Sequence, residues 1–281
     1  MKLGIFAKVF EGTDPFTVLS AVAAAGFSAA QYNMICSGLP TMPNAIPNQI
    51  ALDVAAAAQS AGVEIVSLSG TYNMIHPDPA VRVLGHQRLE ALASSAAAMS
   101  ARLITLCTGT RDPVNQWRRH PANDAPEAWR DLLVSMETAV HVAERHNVDL
   151  GVEPELANVV NSAEKARRLI DEIGSRRLKI VLDPANLFEV ATIERQRDAV
   201  SAAVDLLADR IVMGHAKDRT PAGSFTTAGK GVLDYPHYLA CLGAAGFRGP
   251  LVAHGLSPEE AAGVAAFLRN ELNAAGIAVS R

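Results

Sequence analysis

The sequence predicts an α/β fold, a (β/α)8 TIM barrel, on three observations. Short apolar runs recur along the whole chain, eight in all. Alanine-rich helical segments fill the intervals, and several carry recognisable caps. The 281 residues suit one such barrel, for which about 250 is typical.

The first four runs are LGIF (3–6), AAQYNM (29–34), EIVSLSG (64–70) and LITLCTG (103–109). The last four are DLGVEPE (149–155), LKIVLDP (178–184), RIVMGHA (210–216) and GPLVAHG (249–255). Most are continuous rather than alternating, as strands buried on both faces of a parallel sheet are. Between them, Asp14-Pro15 offers a capping side chain before a proline at the first helical position. Ser257-Pro258-Glu259-Glu260 has the spacing of a capping box. Ala25-Gly26-Phe27, Ala61-Gly62-Val63 and Ala245-Gly246-Phe247 end helices alike, with a glycine free to turn left-handed and an apolar residue to seal the end. A doubly wound open sheet is the competing topology. It usually carries a glycine-rich phosphate turn after its first strand, and LGIFAKVFEG has none. No linker divides the chain, so 1–281 reads as a single TIM-barrel domain. The longest irregular stretch, TRDPVNQWRRHPANDA (110–125), follows the fourth strand.

A net charge of −4 and a pI near 6.1 argue against a broad nucleic-acid surface. Cys36, Cys107 and Cys241 are few, odd in number and far apart. They suggest reduced thiols in a cytoplasmic protein rather than a disulfide framework. MKLGIFAKVF lacks the apolar core and cleavage site of a signal peptide and reads as a first strand. No apolar stretch approaches the roughly 20 residues of a membrane helix.

Several runs end on groups that are costly to bury. Glu153, Asp183 and His215 stand where the fifth, sixth and seventh runs stop, 30 and 32 residues apart, and His254 closes the eighth. In a barrel, strand ends converge on one mouth. Oxygen and nitrogen ligands from consecutive strands would there meet on one divalent cation, which offsets the cost of burying two carboxylates. Taken alone, each has an ordinary reading: a satisfied histidine, or in Asp183-Pro184 a turn cap.

In GVEPE, IVLDPAN, GHAKD and the closing AGKGVLDYPHYLACLGAAGFRGPLV, the chain resembles the sugar isomerase/epimerase superfamily of xylose isomerase-like TIM barrels. That superfamily includes ketose 3-epimerases, inosose dehydratases and endonuclease IV. The resemblance implies a metal held by Glu, Asp, His and Glu at the ends of strands five to eight; Glu153, Asp183 and His215 match the first three. Two positions depart. Asn186 stands where many members carry a histidine, and it can bond a hydroxyl but not titrate. His254 replaces the final glutamate, which in the epimerases is both a ligand and one of two acid/base groups. The mixed nitrogen and oxygen set favours Mn²⁺ over Mg²⁺, with Co²⁺, Fe²⁺ or Zn²⁺ as alternatives.

Other residues are candidates for the mouth. QYNMI (31–35) and TYNMI (71–75) are near copies after the second and third strands. Their Tyr32, Asn33, Tyr72 and Asn73 suit sugar hydroxyls, or simply turns. His76 follows as a substrate ligand or acid. Glu155 is expected to turn away from Glu153, as its support or a helix start, and is kept as a binding candidate. Lys217 is placed on the face of His215, where it would stabilise developing negative charge or pair with Asp183 or Asp218. Arg111, Arg118, Arg119 and Trp117 make the strand-four loop a candidate lid for an anionic substrate. Ala228-Gly229-Lys230-Gly231 is weak evidence for a phosphate loop.

The leading expectation is a metal-dependent isomerase or epimerase of a ketose or keto-sugar, working through an enediolate with Glu153 as base. Elimination, as in a dehydratase or lyase acting on a keto-sugar or inosose-like substrate, starts from the same intermediate. A non-catalytic sugar-binding barrel and an abasic-site endonuclease are the remaining classes; the latter wants more histidines and a basic face. The expected partner is a small sugar, with no nucleic acid or membrane, in a chain that is expected to form a homo-oligomer.

Overall fold

The computed structural model describes residues 1–280. Its strands are β1 (Leu3–Phe6), β2 (Ala29–Tyr32), β3 (Glu64–Ser69), β4 (Leu103–Leu106), β5 (Asp149–Val152), β6 (Leu178–Leu182), β7 (Ile211–Ala216), β8 (Asp218–Arg219), β9 (Phe225–Thr226) and β10 (Leu251–Ala253). Eight of them close a barrel in the order β1-β10-β7-β6-β5-β4-β3-β2, and every pairing in it is parallel. β8 and β9 form an antiparallel hairpin directly after β7. The helices between are α1 (Pro15–Ala24), α2 (Asn48–Ala61), α3 (Pro79–Ala96), α4 (Pro126–His146), α5 (Ala163–Ile173), α6 (Ile193–Leu207), α7 (Tyr235–Ala244) and α8 (Ala261–Ala274).

The caps follow the local chemistry. Asp14 Oδ2 accepts from Thr17 N at 2.9 Å, with Pro15 opening α1. The Ser257–Glu260 capping box forms on a short 3₁₀ turn ahead of α8. Gly62 has φ +65°, and the next residue, Val63, donates its N–H back to Ala58 O at 2.9 Å while its side chain is buried. This reverse bond is what a left-handed helix end needs to satisfy its last carbonyls.

Two layers fill the barrel interior, because residues two apart share a strand face. Leu103, Val181, Met213 and Val252 form a separate apolar cluster in the lower layer. Each such buried side chain contributes about 1.5–3 kcal/mol. Gly151 belongs to this layer too; a Cβ there would come within 2.8 Å of Val181 Cγ2. The larger core lies between sheet and helices. Cys107 is buried, and burial with the nearby carboxylates of Glu155 and Glu153 pushes its thiol pKa up. Among the described residues no helix is long and apolar enough to cross a membrane.

Candidate metal centre at the barrel mouth

Moving two residues up from the lower layer reaches the strand ends: Gly151 to Glu153, Val181 to Asp183, Met213 to His215, Val252 to His254. The alternation that buries the apolar layer therefore aims all four polar groups at the barrel axis. One ligand atom from each of the four lies within 4.8 Å of the others. His215 Nδ1 is 3.3 Å from Glu153 Oε1, and His254 Nε2 is 3.0 Å from Asp183 Oδ2. The two imidazole rings stand 4.4 Å apart at 52°.

The carboxyl oxygens of Asp183 divide their work. Oδ1 accepts from Ala185 N at 2.9 Å and caps the Pro184–Asn186 turn. Oδ2 faces His254 and the ammonium of Lys217, 3.0 Å away. Burial alone would raise the Asp183 pKa, but Lys217 and His254 hold it well below the usual carboxylate range. Burial likewise works against the charged form of Glu153, and His215 outweighs it to leave the pKa lowered. Burial opposes the Lys217 charge, yet Asp183, Glu153 and Glu155 together raise its pKa. His254 is pushed down to about 4 by burial and by the neighbouring His215 and Lys217, so its ring is neutral.

The donor set fits a divalent cation. His215 Nδ1 is buried with no hydrogen-bond partner among the described residues. Two carboxylates and two imidazoles are hard-to-borderline donors of the kind that transition-metal dications take. Among the described residues this is the one such group of His, Cys, Asp and Glu, which gives a multi-zinc cluster no further ligand set.

Above the four lies a cavity of about 880 Å³. The inward residues of the other strands share its floor: Phe6, Gln31, Ser69 and Thr105. A second cavity of about 660 Å³ adjoins it and shares Trp117 and Glu155. Lys217 lies 3.8 Å from the Phe225 ring centroid, held there by the β8–β9 hairpin.

Several expected site residues stand elsewhere or are already committed. Glu155 does not turn away. Even an extended segment would put residues two apart on one face, and Glu155 lines the larger cavity with Glu153 and the second cavity as well. Burial and the Glu153 charge push its carboxyl up to about 8. Asn186 Nδ2 donates to Glu153 Oε1 at 2.8 Å, which orients that carboxylate rather than leaving the amide free. Asn33 lines the larger cavity while its Oδ1 accepts from Ile35 N at 3.1 Å. Asn73 makes the matching bond to Ile75 N at 3.3 Å and also ties Thr110 N and O to the third loop. The near-copied pentapeptides are thus two copies of one turn cap. Tyr32 bonds Ser37 at 2.7 Å. Tyr72 contributes its ring to the cavity wall, but its hydroxyl is shut away from solvent with no partner.

His76 is not a free acid: Nδ1 accepts from Asp78 N at 3.0 Å and Nε2 donates to Pro113 O at 3.2 Å. Arg111 lies outside the cavity lining and pairs with Asp131 at 2.6 Å. Arg118 pairs with Asp112 and Arg119 with Asp124. The strand-four loop lines the larger cavity with Asp112, Pro113, Val114, Asn115, Gln116 and Trp117, and Arg119 lines the second, while Arg111 and Arg118 reach neither lining. The glycine turn at 228–231 commits its amides within the chain: Gly229 N and Gly231 N, with Leu233 N, donate to the carboxylate of Asp218. Sequence reading passed over Gln31, Thr105 and Phe225. The two-residue step that marks Glu153 also marks Gln31 and Thr105 as inward-facing, whereas nothing local marks Phe225.

A model of the family described as xylose isomerase-like TIM barrel matches residues 19–271. No curated protein sequence matches. Among solved structures, the chain is similar to 3-keto-D-glucoside 4-epimerase from E. coli, at 19% identity and TM-score 0.74, with 96% of this chain and 99% of that one covered. It is similar to D-psicose 3-epimerase from Clostridium cellulolyticum H10, at 18% identity and TM-score 0.74, covering 97% and 99%. An L-ribulose 3-epimerase matches at 16% identity and TM-score 0.77, covering 98% and 95%.

Proposed function

The chain belongs to the family of xylose isomerase-like TIM barrels, and from that premise we propose that it is a divalent-metal-dependent epimerase or isomerase of a ketose or keto-sugar. One observation carries the reading: four ligand atoms from four strand ends converge within 4.8 Å beneath a sugar-sized cavity. Solved structures similar to this fold include sugar epimerases, which supports the same class.

A divalent ion bound by Glu153, Asp183, His215 and His254 would act as a Lewis acid on the substrate carbonyl. Glu153 is the base: Asn186 fixes its Oε1, and the carboxylate takes the proton from the carbon next to the carbonyl. Lys217, held by Asp183 and Phe225, places an ammonium beside the negative charge that develops on the enediolate. Return of that proton by Glu153 to the neighbouring carbon gives the isomer; the epimer needs a proton delivered to the opposite face by a second group, a water or the Lys217 ammonium that also lines the cavity. β-Elimination is the second reading, favoured by the imidazole of His254 at the strand end facing Asp183, where a second carboxylate base would otherwise stand. Mn²⁺, a homo-oligomeric state and a cytoplasmic setting belong to the same proposal, as does a small sugar rather than nucleic acid as partner.

The test is the Mn²⁺-loaded protein in D₂O with a panel of ketoses and 3-keto-sugars, followed by NMR. Deuterium appearing next to the carbonyl together with an epimer or isomer is the expected result. Loss of a hydroxyl instead selects elimination. Metal uptake with no exchange in any sugar overturns the sugar reading.

A further inference from the structure

His215 offers two ring nitrogens, and the metal reading needs a particular one to be unprotonated. Glu153 Oε1 sits 3.3 Å from Nδ1, so left to itself the carboxylate would favour a proton on that nitrogen. That tautomer would close the position a metal ion needs. Something must oppose it.

The opposition comes from the uncharged side of the barrel. Leu68 O on β3 is an acceptor, and Thr105 Oγ1 on β4 donates to it at 3.5 Å. Thr105 Oγ1 therefore accepts from its other neighbour, Gln31 Nε2 on β2, at 3.3 Å. The Gln31 amide is thereby oriented, with its Oε1 turned toward His215 Nε2 at 3.0 Å. An amide oxygen only accepts, so Nε2 carries a proton, and Nδ1 is the nitrogen left to offer its lone pair to a metal ion. That atom is the buried, unpartnered one. The β2–β3 register shifts between Ala30 and Gln31, and such a bulge re-aims the side chain beside it; Gln31 is only 4% exposed.

We propose that Gln31 is a positioning residue that fixes the tautomer of His215 through Thr105 and Leu68, and so presents its Nδ1 lone pair to the metal. The inference rests on the metal-centre reading above. A partner that orients a ligating histidine in this way contributes about ten- to a hundredfold to metal affinity.

The experiment uses full-length protein with ¹⁵N-labelled histidine, stripped of metal, and reads the ring tautomer by two-bond ¹H–¹⁵N NMR. His215→Asn identifies the signal. The parent and Gln31→Glu, which keeps an acceptor, are expected to show the Nε2–H form; Gln31→Leu is expected to lose it. Mn²⁺ titration followed by EPR should show about a ten- to hundredfold weaker affinity in Gln31→Leu, recovered in Gln31→Glu. Thr105→Val, which frees the amide to rotate, should fall between. An Nδ1–H ring in a parent that binds Mn²⁺ overturns this inference alone, as does a folded Gln31→Leu that binds Mn²⁺ like the parent. A parent that takes up no divalent ion overturns the metal-centre reading and this inference together.

Discussion

The barrel mouth has two halves built on one register and filled with opposite chemistry. Along β5, β6, β7 and β10 the upper inward positions are Glu153, Asp183, His215 and His254; along β1 to β4 they are Phe6, Gln31, Ser69 and Thr105. The charged half is held by ion pairs and by burial that shifts its pKa values. The uncharged half is held mainly by hydrogen bonds, and its loops commit their polar side chains internally: Asn73 to the Thr110 carbonyl, His76 to the Pro113 carbonyl, and Arg111 to Asp131 on α4. The difference separates two tasks. A group that must bind a cation or move a proton stays electrostatically exposed to its neighbours, while a wall of fixed shape ties its polar atoms down. Substitutions in the first half should strike metal binding directly; those in the second should strike stability, except at Gln31 and Thr105, which reach the metal centre through His215.

The largest effect is expected at Asp183. Asp183→Ala removes a ligand and leaves the Lys217 ammonium, 8% exposed at its side chain, without its closest carboxylate. Stranding a buried charge costs about 3–5 kcal/mol. Elemental analysis should find the metal gone, and urea denaturation should find the loss of stability. Metal occupancy equal to the parent would break the division between the halves at its strongest point.

Next comes His254→Glu, which adds a carboxylate to the charged half without touching the other. An oxygen donor in place of nitrogen moves preference toward Mg²⁺. Competition titrations should show the Mn²⁺ advantage over Mg²⁺ shrinking by about tenfold. An unchanged ratio would mean that His254 does not reach the ion.

How much of this was legible in the sequence follows from the same division. The strands and the four residues that cluster at the mouth were readable because each is a local signal: an apolar run, then a titratable residue at its end, repeated at about one βα unit's spacing. The glycine helix ends were readable for the same reason. Gln31 was not, because one amide inside AAQYNM resembles any strand-end polar residue until Thr105 and His215 are placed around it. The partner of Arg111 was not legible, because Asp131, 20 positions on, belongs to α4 and only folding brings it near. The β8–β9 hairpin, two residues per strand, is too short to carry a periodicity. Glu155 was misplaced by an error over strand alternation, not for want of signal.

Arg111→Gln therefore sharpens the comparison from the uncharged side. The pair with Asp131 is partly buried, and Arg82 also reaches that carboxylate at 3.1 Å, so some charge balance survives. A loss of about 1–2 kcal/mol is expected, with KM for anionic and neutral sugars changed alike. A selective rise for the anionic sugar would return Arg111 to the substrate.

The smallest effect is expected at Tyr72, and its sign is the informative part. The ring packs on Gly85, where a Cβ would come within 2.2 Å of it, and meets His86 edge-on with centroids 5.7 Å apart. The hydroxyl has no partner and burial raises its pKa. An unpaired buried hydroxyl costs about 1–3 kcal/mol, so Tyr72→Phe removes a penalty while keeping the shape of the wall. Thermal unfolding should shift upward by a few degrees, and KM should stay as in the parent, because the atom removed faces away from the cavity. A raised KM with unchanged stability would place that hydroxyl on the sugar. It would also show that the uncharged half reads the substrate with more than its shape.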